Sequence, residues 1–240
     1  MISMQSTPNH AGVSIRGDLH DLEQLYSALH SLIGAEEEYP SLTGARLRVL
    51  NLCYQIRHAF MGNRELELLD NGMHDELKKH FATLAPERNV YYAFSMFWPE
   101  MLFLVLAINE FASIRERKSK LGKWDADLCA VRMFQAAAAE CLRGVMTETG
   151  YARTIKLLNG SFVWINDYCT QYIDVMNIKF LRMDAEKRLK NLSVMAKRFA
   201  ERNDDYYEMK EAVQEASAEF GVPQDAIELE GWTYPEEVDW

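Results

Sequence analysis

The chain has 240 residues, of which 48% are hydrophobic and 26% charged, with only 12 glycines and 6 prolines. This composition is typical of globular proteins and excludes collagen-like, mucin-like and wholly disordered chains. The formal net charge of −10 argues against general nucleic-acid binding, because contacts with phosphates need lysine and arginine. A chain of this length can fill one core, and the scarcity of proline and glycine favours a single domain.

The charge is unevenly distributed along the chain. Residues 221–240 hold six acidic residues and no lysine or arginine, whereas residues 114–123 and 182–202 are basic. We therefore expect a flexible leader at residues 1–11, a single helical domain at 12–221 and an acidic, aromatic tail at 222–240.

Cysteine usage and apolar runs indicate the compartment. The four cysteines form no C-x-x-C pair and lie in apolar helical contexts, which fits a reducing cytosol. The first residues have neither the basic nor the apolar region of a secretory signal. The longest apolar run in the most apolar segment, Met101–Ile108, is too short to span a membrane. The sequence therefore predicts a cytoplasmic protein that does not contact membranes.

The first third of the chain alternates between strand and helix patterns. Asp18 is a suitable N-cap for the first helix, and Gly34 suits its end. The Asp70-Asn-Gly72 sequence is a turn signal that closes the second strand. The expected elements are a strand at 12–16, helices at 19–33 and 45–61, a strand at 64–69 and a short polar helix at 74–84.

Helical patterns dominate the rest of the chain. Residues 90–97 indicate a strand or the lead-in to a buried helix, and Pro99 suits the first turn of that helix, which should form the central core. Asn159-Gly160 leaves residues 151–165 open between a hairpin and a helix junction, and we favour helices. The expected helices are 98–117, 125–148, 164–180, 181–199 and 206–220. The predicted fold class is mainly α, a bundle-like domain with a small β element near the N-terminal half, with α+β as the alternative.

The densest run of chemically capable side chains extends from Tyr54 to Glu65. Helical spacing places Tyr54 and His58 on one apolar face of a helix whose other face is also apolar, so we expect a sandwiched helix and a partly buried His58. Such a group could bind an anion or perform acid–base chemistry, but a satisfied hydrogen-bond network is the commoner outcome. The candidate site residues are Tyr54, Arg57, His58, Arg64, Glu65 and Glu100.

Glu100 lies in the first turn of the most apolar helix, where the helix dipole favours a negative charge and a capping role. Alternatively its carboxylate faces the His58 cluster, with one of three arginines as its partner. Those expected partners are Arg57, Arg64 and Arg115. Asp167, Gln171 and Asp174 recur on one stripe, and we expect this stripe to be a solvated helix face.

Motifs for cofactors and metals are missing from the sequence. It contains no G-x-G-x-x-G, G-x-x-x-x-G-K-[ST] or G-x-S-x-G pattern and no repeated Glu-x-x-His. We therefore expect no cofactor and no metal site, and whether the protein is an enzyme stays open. The run Y-x-x-R-H-A-x-x-G-x-R-E resembles a segment of uncharacterised bacterial proteins, and the resemblance extends to residues 12–33 and 97–100. It implies a bacterial, cytosolic origin and no known activity.

These patterns support three hypotheses of function. The first is a cytosolic helical protein that acts through protein–protein contacts, as a homo-oligomer or as an accessory component of a bacterial system, because the acidic, aromatic tail resembles a binding peptide. The second is an enzyme or small-anion-binding protein that uses Arg57, His58, Arg64 and Glu65. The third is nucleic-acid binding through residues 114–123 and 182–202, gated by the tail, although aromatic residues are sparse there.

Overall fold

The computed structural model of the protein describes residues 1–82, 84–160 and 164–240. Within these ranges the chain forms nine α-helices and one four-stranded antiparallel sheet. This architecture confirms the prediction of a mainly α fold with a small β element near the N-terminal half.

The strands are β1 (Ser3–Ser6), β2 (Gly12–Gly17), β3 (Glu65–Asp70) and β4 (Arg88–Phe97). The helices are α1 (Leu19–Ile33), α2 (Thr43–Phe60), α3 (Asp75–Phe81), α4 (Trp98–Lys118), α5 (Ala126–Val145), α6 (Glu148–Leu158), α7 (Gln171–Leu181), α8 (Ala185–Glu201) and α9 (Asp204–Phe220). The strands follow the order β1-β2-β4-β3 across the sheet.

Helix α1 begins and ends where the sequence predicts. The Asp18 side chain accepts a hydrogen bond from the Asp21 N–H (2.8 Å), and the Asp21 carboxylate accepts one from the Asp18 N–H (3.2 Å). This reciprocal capping box satisfies two of the backbone donors that a helix start leaves unpaired. Gly34 follows the last turn with a φ of 64°, a conformation that glycine adopts at little cost.

The sheet packs one face on the helices and leaves the other outside. Val13 and Ile15 of β2 and Phe94 and Met96 of β4 are buried in the core. Ser14 lies opposite Ser95 in the register, so these two share the outer face. Strand β1 lies within residues 1–11, for which the sequence predicts a flexible leader, and it pairs with β2. The apolar pattern in those residues is too weak to reveal this strand.

Helix α4 is the central core element, as predicted. All residues from Trp98 to Ile108 are buried, and the helix contacts α1, α2, α5, α7 and α8. Pro99 occupies its first turn, where the missing N–H costs nothing. Because β4 runs directly into α4, the outer sheet face and the helical core meet at Phe97 and Trp98.

The segment that the sequence leaves open between a hairpin and a helix junction, residues 151–165, is helical as far as Leu158. Helix α6 ends at Leu158, while residues 161–163, which belong to the alternative hairpin, lie outside the described residues. The helix expected from residue 164 begins only at Gln171, because Asp167 has a left-handed φ of 48°. Within the described ranges no helix has the length and apolar character that crossing a membrane requires.

Candidate functional site

A network of charged side chains lies where α2, α4 and α7 meet. Arg48 of α2 donates from Nη1 to Glu100 Oε2 (3.2 Å) and to Asp174 Oδ1 (3.0 Å), and from Nη2 to Asp174 Oδ2. Its Nη2 also donates to the carbonyl of Thr170 (2.9 Å). The planar guanidinium can satisfy two carboxylates at once, so Arg48 links three helices.

Asn177 and Tyr234 complete this network. The Asn177 amide oxygen accepts from the Glu100 N–H (3.1 Å), while its Nδ2 donates to Glu100 Oε2 (3.1 Å) and to the Tyr234 hydroxyl (3.2 Å). The Tyr234 hydroxyl in turn donates to Asp174 Oδ1 (2.9 Å). Helices therefore supply four members of the network, and residues 222–240 supply the fifth.

Burial controls the protonation of Glu100 and Tyr234. Glu100 is only 4% exposed, and burial raises its pKa above the usual value, although Arg48 and Asn177 lower it in part. Its Oε1 has no hydrogen-bond partner among the described residues. Burial and the neighbouring Asp174 carboxylate raise the pKa of Tyr234, so its phenol stays protonated and can donate.

The tail, residues 222–240, runs across the helical body. Gln171 Nε2 donates to the Ile227 carbonyl (3.1 Å) near the start of the tail. The Trp232 ring lies 5.4 Å from Lys179 Nζ and 5.7 Å from Arg182 Cζ, within the range of cation–π contacts. These contacts place the first half of the tail along α7.

The last residues of the tail contact the sheet and α8. The Trp240 ring stacks on Phe97 with centroids 5.1 Å apart. Arg188, which is 3% exposed, donates from Nη1 to the Asp239 carbonyl (2.7 Å) and the Asn9 carbonyl (3.0 Å). Its Nε has no partner among the described residues. We call the surface under the tail the tail groove, formed by Arg48, Phe97, Gln171, Asp174, Asn177, Lys179, Arg182 and Arg188.

Gly12 is needed where Trp240 meets the sheet. A Cβ at this position would lie 2.1 Å from the Met96 carbonyl oxygen and 2.8 Å from Trp240 Cζ3. Gly12→Ala should therefore lower the free energy of unfolding by about 1–3 kcal/mol, because the backbone of β4 and the ring must both shift. Urea denaturation measures this loss. Gly144→Ala in α5 is the control, since its Cβ would contact nothing within 4 Å, and an equal loss there would contradict the explanation.

The cluster predicted around His58 lies near the end of α2, at the surface. Its rings are in contact, with the Tyr54 and His58 centroids 4.1 Å apart and Arg57 Cζ 5.7 Å from the Tyr54 centroid. The expectation of a sandwiched helix is wrong, because Tyr54 is 46% and Met61 61% exposed. His58 itself is half-buried. One face of α2 thus packs on the core while the other is open.

Arg64 and Glu65 have partners other than His58. Arg64 donates to Gln55 Oε1 from Nε (3.1 Å) and Nη2 (2.9 Å), and Glu65 begins β3 opposite Ala93. Both line an open groove of about 720 Å³ on the outer face of the sheet. His58 is not among the residues that line it. The structure therefore brings together only part of the predicted cluster.

The partners of Glu100 differ from those expected. Its carboxylate contacts Arg48 and Asn177, whereas Arg115 pairs with Asp125 (2.9 Å). The sequence expectation named Arg57, Arg64 and Arg115, and it is wrong because α2 turns Arg48 towards α4. One sequence signal was available: Glu100 and Asn177 are isolated polar residues in apolar stretches, and such residues usually pair when buried.

The stripe of Asp167, Gln171 and Asp174 is solvated only in part. Gln171 is buried and binds tail carbonyls, and Asp174 is held by Arg48 and Tyr234. The expectation is therefore wrong for Gln171, which the tail covers, whereas Asp167 is exposed and the Asp174 side chain stays 35% exposed beside Arg48.

Several cations of the two basic stretches form ion pairs with acids. Lys187, Lys190 and Lys197 form ion pairs with Asp184, Glu186 and Glu201 on the same or the neighbouring turn. In the first stretch, Lys118 pairs with Glu38. Ion pairs of this kind lower the positive potential that phosphates would meet.

Two buried thiols are held in their protonated form. Burial raises the pKa of Cys53 to about 12 and that of Cys141 to about 11, so both stay protonated near neutral pH. Among the described residues, no group of three or more histidine, cysteine or acidic side chains is placed to hold a metal ion.

Comparison with known proteins identifies the family. No curated protein and no solved structure matches the chain. A family described as a domain of unknown function, DUF6904, matches residues 2–240. The match includes the helical domain, the sheet and the tail. The chain therefore belongs to the DUF6904 family.

Proposed function

We propose that the protein is an interaction module whose tail groove binds an acidic, aromatic segment of a partner protein. Its own tail occupies the groove in the absence of that partner. One observation carries the proposal. The tail is held at separate points, by ring contacts and by hydrogen bonds from side chains of the helical body, and two polar atoms buried near it have no partner among the described residues. Such a module suits an accessory component of a larger bacterial system.

The anchors of the groove are chemically varied and closely spaced. Phe97 offers an aromatic face to Tyr234 and Trp240, with centroid distances of 5.8 Å and 5.1 Å. Lys179 and Arg182 offer cations to an aromatic ring, and the Arg48 network accepts a hydroxyl. Aromatic rings in defined pockets carry most of the energy of many interfaces, so a peptide with aromatic residues in a similar arrangement would compete.

The tail satisfies this groove incompletely. Glu100 Oε1 and Arg188 Nε are both buried without a hydrogen-bond partner among the described residues. A buried polar group left unpaired costs about 1–3 kcal/mol. A segment whose groups reach these atoms, directly or through water, would therefore compete with the tail.

The charges of the groove favour a peptide over a nucleic acid. Asp174 lies in the groove beside Arg48, so a phosphate backbone there would meet a carboxylate, whereas the tail places the hydroxyl of Tyr234 on it as a donor. Lys179 and Arg182 at its margin suit the carboxylates that accompany aromatic residues in the tail. We therefore infer that the occupant is an acidic peptide with tryptophan or tyrosine anchors.

The test uses a fluorescently labelled peptide of residues 222–240 and the full-length protein. A full-length Trp232→Ala/Trp240→Ala variant, whose tail has lost two anchors, should bind the peptide at least about tenfold more tightly than the wild type, because competition in cis is weaker. Fluorescence anisotropy measures the affinity. A scrambled peptide of the same composition is the control ligand and should bind weakly to both proteins.

A charge variant identifies the groove as the binding surface. Lys179→Glu/Arg182→Glu, added to the loosened-tail variant, should weaken peptide binding, while the matched Lys187→Glu/Lys190→Glu change should not. Equal binding of the scrambled peptide, or equal effects of the two charge variants, would contradict the proposal. It would also be wrong if single-stranded DNA bound the loosened-tail variant more tightly than the peptide at physiological salt.

A further inference from the structure

Strand β3 forms a free edge of the sheet. It is the last strand in the sheet order, and it pairs with β4 from Glu65 opposite Ala93 to Asp70 opposite Arg88. The backbone groups along its outer side have no strand partner among the described residues. Proteins usually protect such edges with lysine, proline, a bulge or a covering element, because an open edge invites another strand. Strand β3 contains neither lysine nor proline.

The two faces of β3 differ in chemistry. Leu66 is 57% exposed and Leu68 is 58% exposed, and the apolar face continues to Val90, which lies opposite Leu68 on β4. Alternation places Glu65 and Glu67 on the other face. Along residues 65–68 an incoming strand would therefore meet leucines on one side and carboxylates on the other, and Leu69 and Asp70 end this division.

We propose that the edge of β3 accepts an extended partner segment in which apolar residues alternate with lysine or arginine. Backbone hydrogen bonds would add the segment to the sheet, its apolar residues would cover Leu66 and Leu68, and its cations would face Glu65 and Glu67. This surface is separate from the tail groove, so the proposal stands or falls independently of the one above.

Charge favours a basic partner segment over a second copy of β3 as the occupant of this edge. Residues 65–88 contain six acidic residues and three lysines or arginines, so the segment that includes β3 has a net negative charge. An antiparallel second copy of β3 would bring one acidic face against the other, and like charges opposite each other destabilise a sheet. Glu67 already pairs with Arg16 at 3.1 Å. Glu65 should therefore attract an incoming cation more strongly than Glu67 does.

The test compares two short peptides that alternate valine with lysine or valine with glutamate. The full-length protein should bind the valine–lysine peptide at least about tenfold more tightly in fluorescence anisotropy, because only its charges complement the acidic face. Hydrogen exchange of the amides in residues 65–70 should slow when that peptide is bound. A Glu65→Lys/Glu67→Lys variant should reverse the preference.

A matched charge change keeps the test specific. Glu211→Lys/Glu215→Lys changes two exposed acids of α9 in the same way and should leave the preference unaltered. Equal binding of the two peptides, an effect of the α9 variant, or protection outside β3 would overturn the proposal. A concentration-dependent dimer that is lost in the β3 variant would also overturn it, since a second copy would then be the occupant.

Discussion

Arg48→Met is expected to lower the free energy of unfolding by about 3–5 kcal/mol, the usual cost of removing one partner of a buried ion pair. Arg48 is the cation that faces both Glu100 and Asp174, and the Glu100 side chain is only 5% exposed. The methionine would leave that carboxylate buried without its counter-charge. Urea denaturation measures the loss, and Arg57→Met on the exposed face of the same helix should change stability by less than about 0.5 kcal/mol.

A double variant tests the cause of this loss. If the cost comes from an uncompensated carboxylate, Glu100→Gln should recover a substantial part of it in the Arg48→Met background, because the neutral amide needs no cation. Additive losses in the double variant would contradict this explanation. They would indicate that Arg48 stabilises the protein by packing and by its bond to the Thr170 carbonyl instead.

Glu100→Gln is expected to change how stability depends on pH. The pKa of Glu100 is raised in the folded protein, so the folded state holds this proton more tightly than the unfolded state. The wild type should therefore lose stability as the pH rises from the usual glutamate pKa through the raised one. The glutamine variant lacks this loss and should become more stable relative to the wild type over that range.

Urea denaturation at a series of pH values upwards from about pH 4, near the ordinary glutamate pKa, follows this change. Glu116→Gln, which removes an exposed acid from the same helix, is the control and should follow the wild-type profile. A stability difference between Glu100→Gln and the wild type that stays constant or shrinks as the pH rises would contradict the assignment.

Local patterns explain why much of the fold could be predicted. The Asp18 capping box, the proline in the first turn of α4 and the apolar run that follows it each act over a few residues. The alternation in residues 64–69 likewise predicts β3 to within one residue. Elements set by such short-range chemistry can be found in a single sequence.

Of the candidate site, only Glu100 and the importance of the tail could be predicted, because the contacts that assemble the rest are long-range. Arg48 reaches Glu100 across 52 positions and Asp174 across 126 positions of the chain. Nothing in the local sequence around Arg48 distinguishes it from its neighbour Arg46. The tail was identified by its acidic and aromatic residues, but the surface that it contacts depends on how α7, α8 and β4 pack together. Tertiary packing, not periodicity, brings these residues together.

Locking the tail in the groove tests most directly whether the tail and a partner peptide bind the same surface. Asn9 and Asp239 are in contact, so Asn9→Cys/Asp239→Cys, in a background with Cys129→Ser, allows a short bifunctional thiol reagent with a reducible spacer to bridge them. Bridging should abolish binding of the labelled peptide of residues 222–240 in the Trp232→Ala background, and reduction should restore it. Unchanged peptide binding by the bridged protein would contradict the claim that the tail and the peptide share one groove.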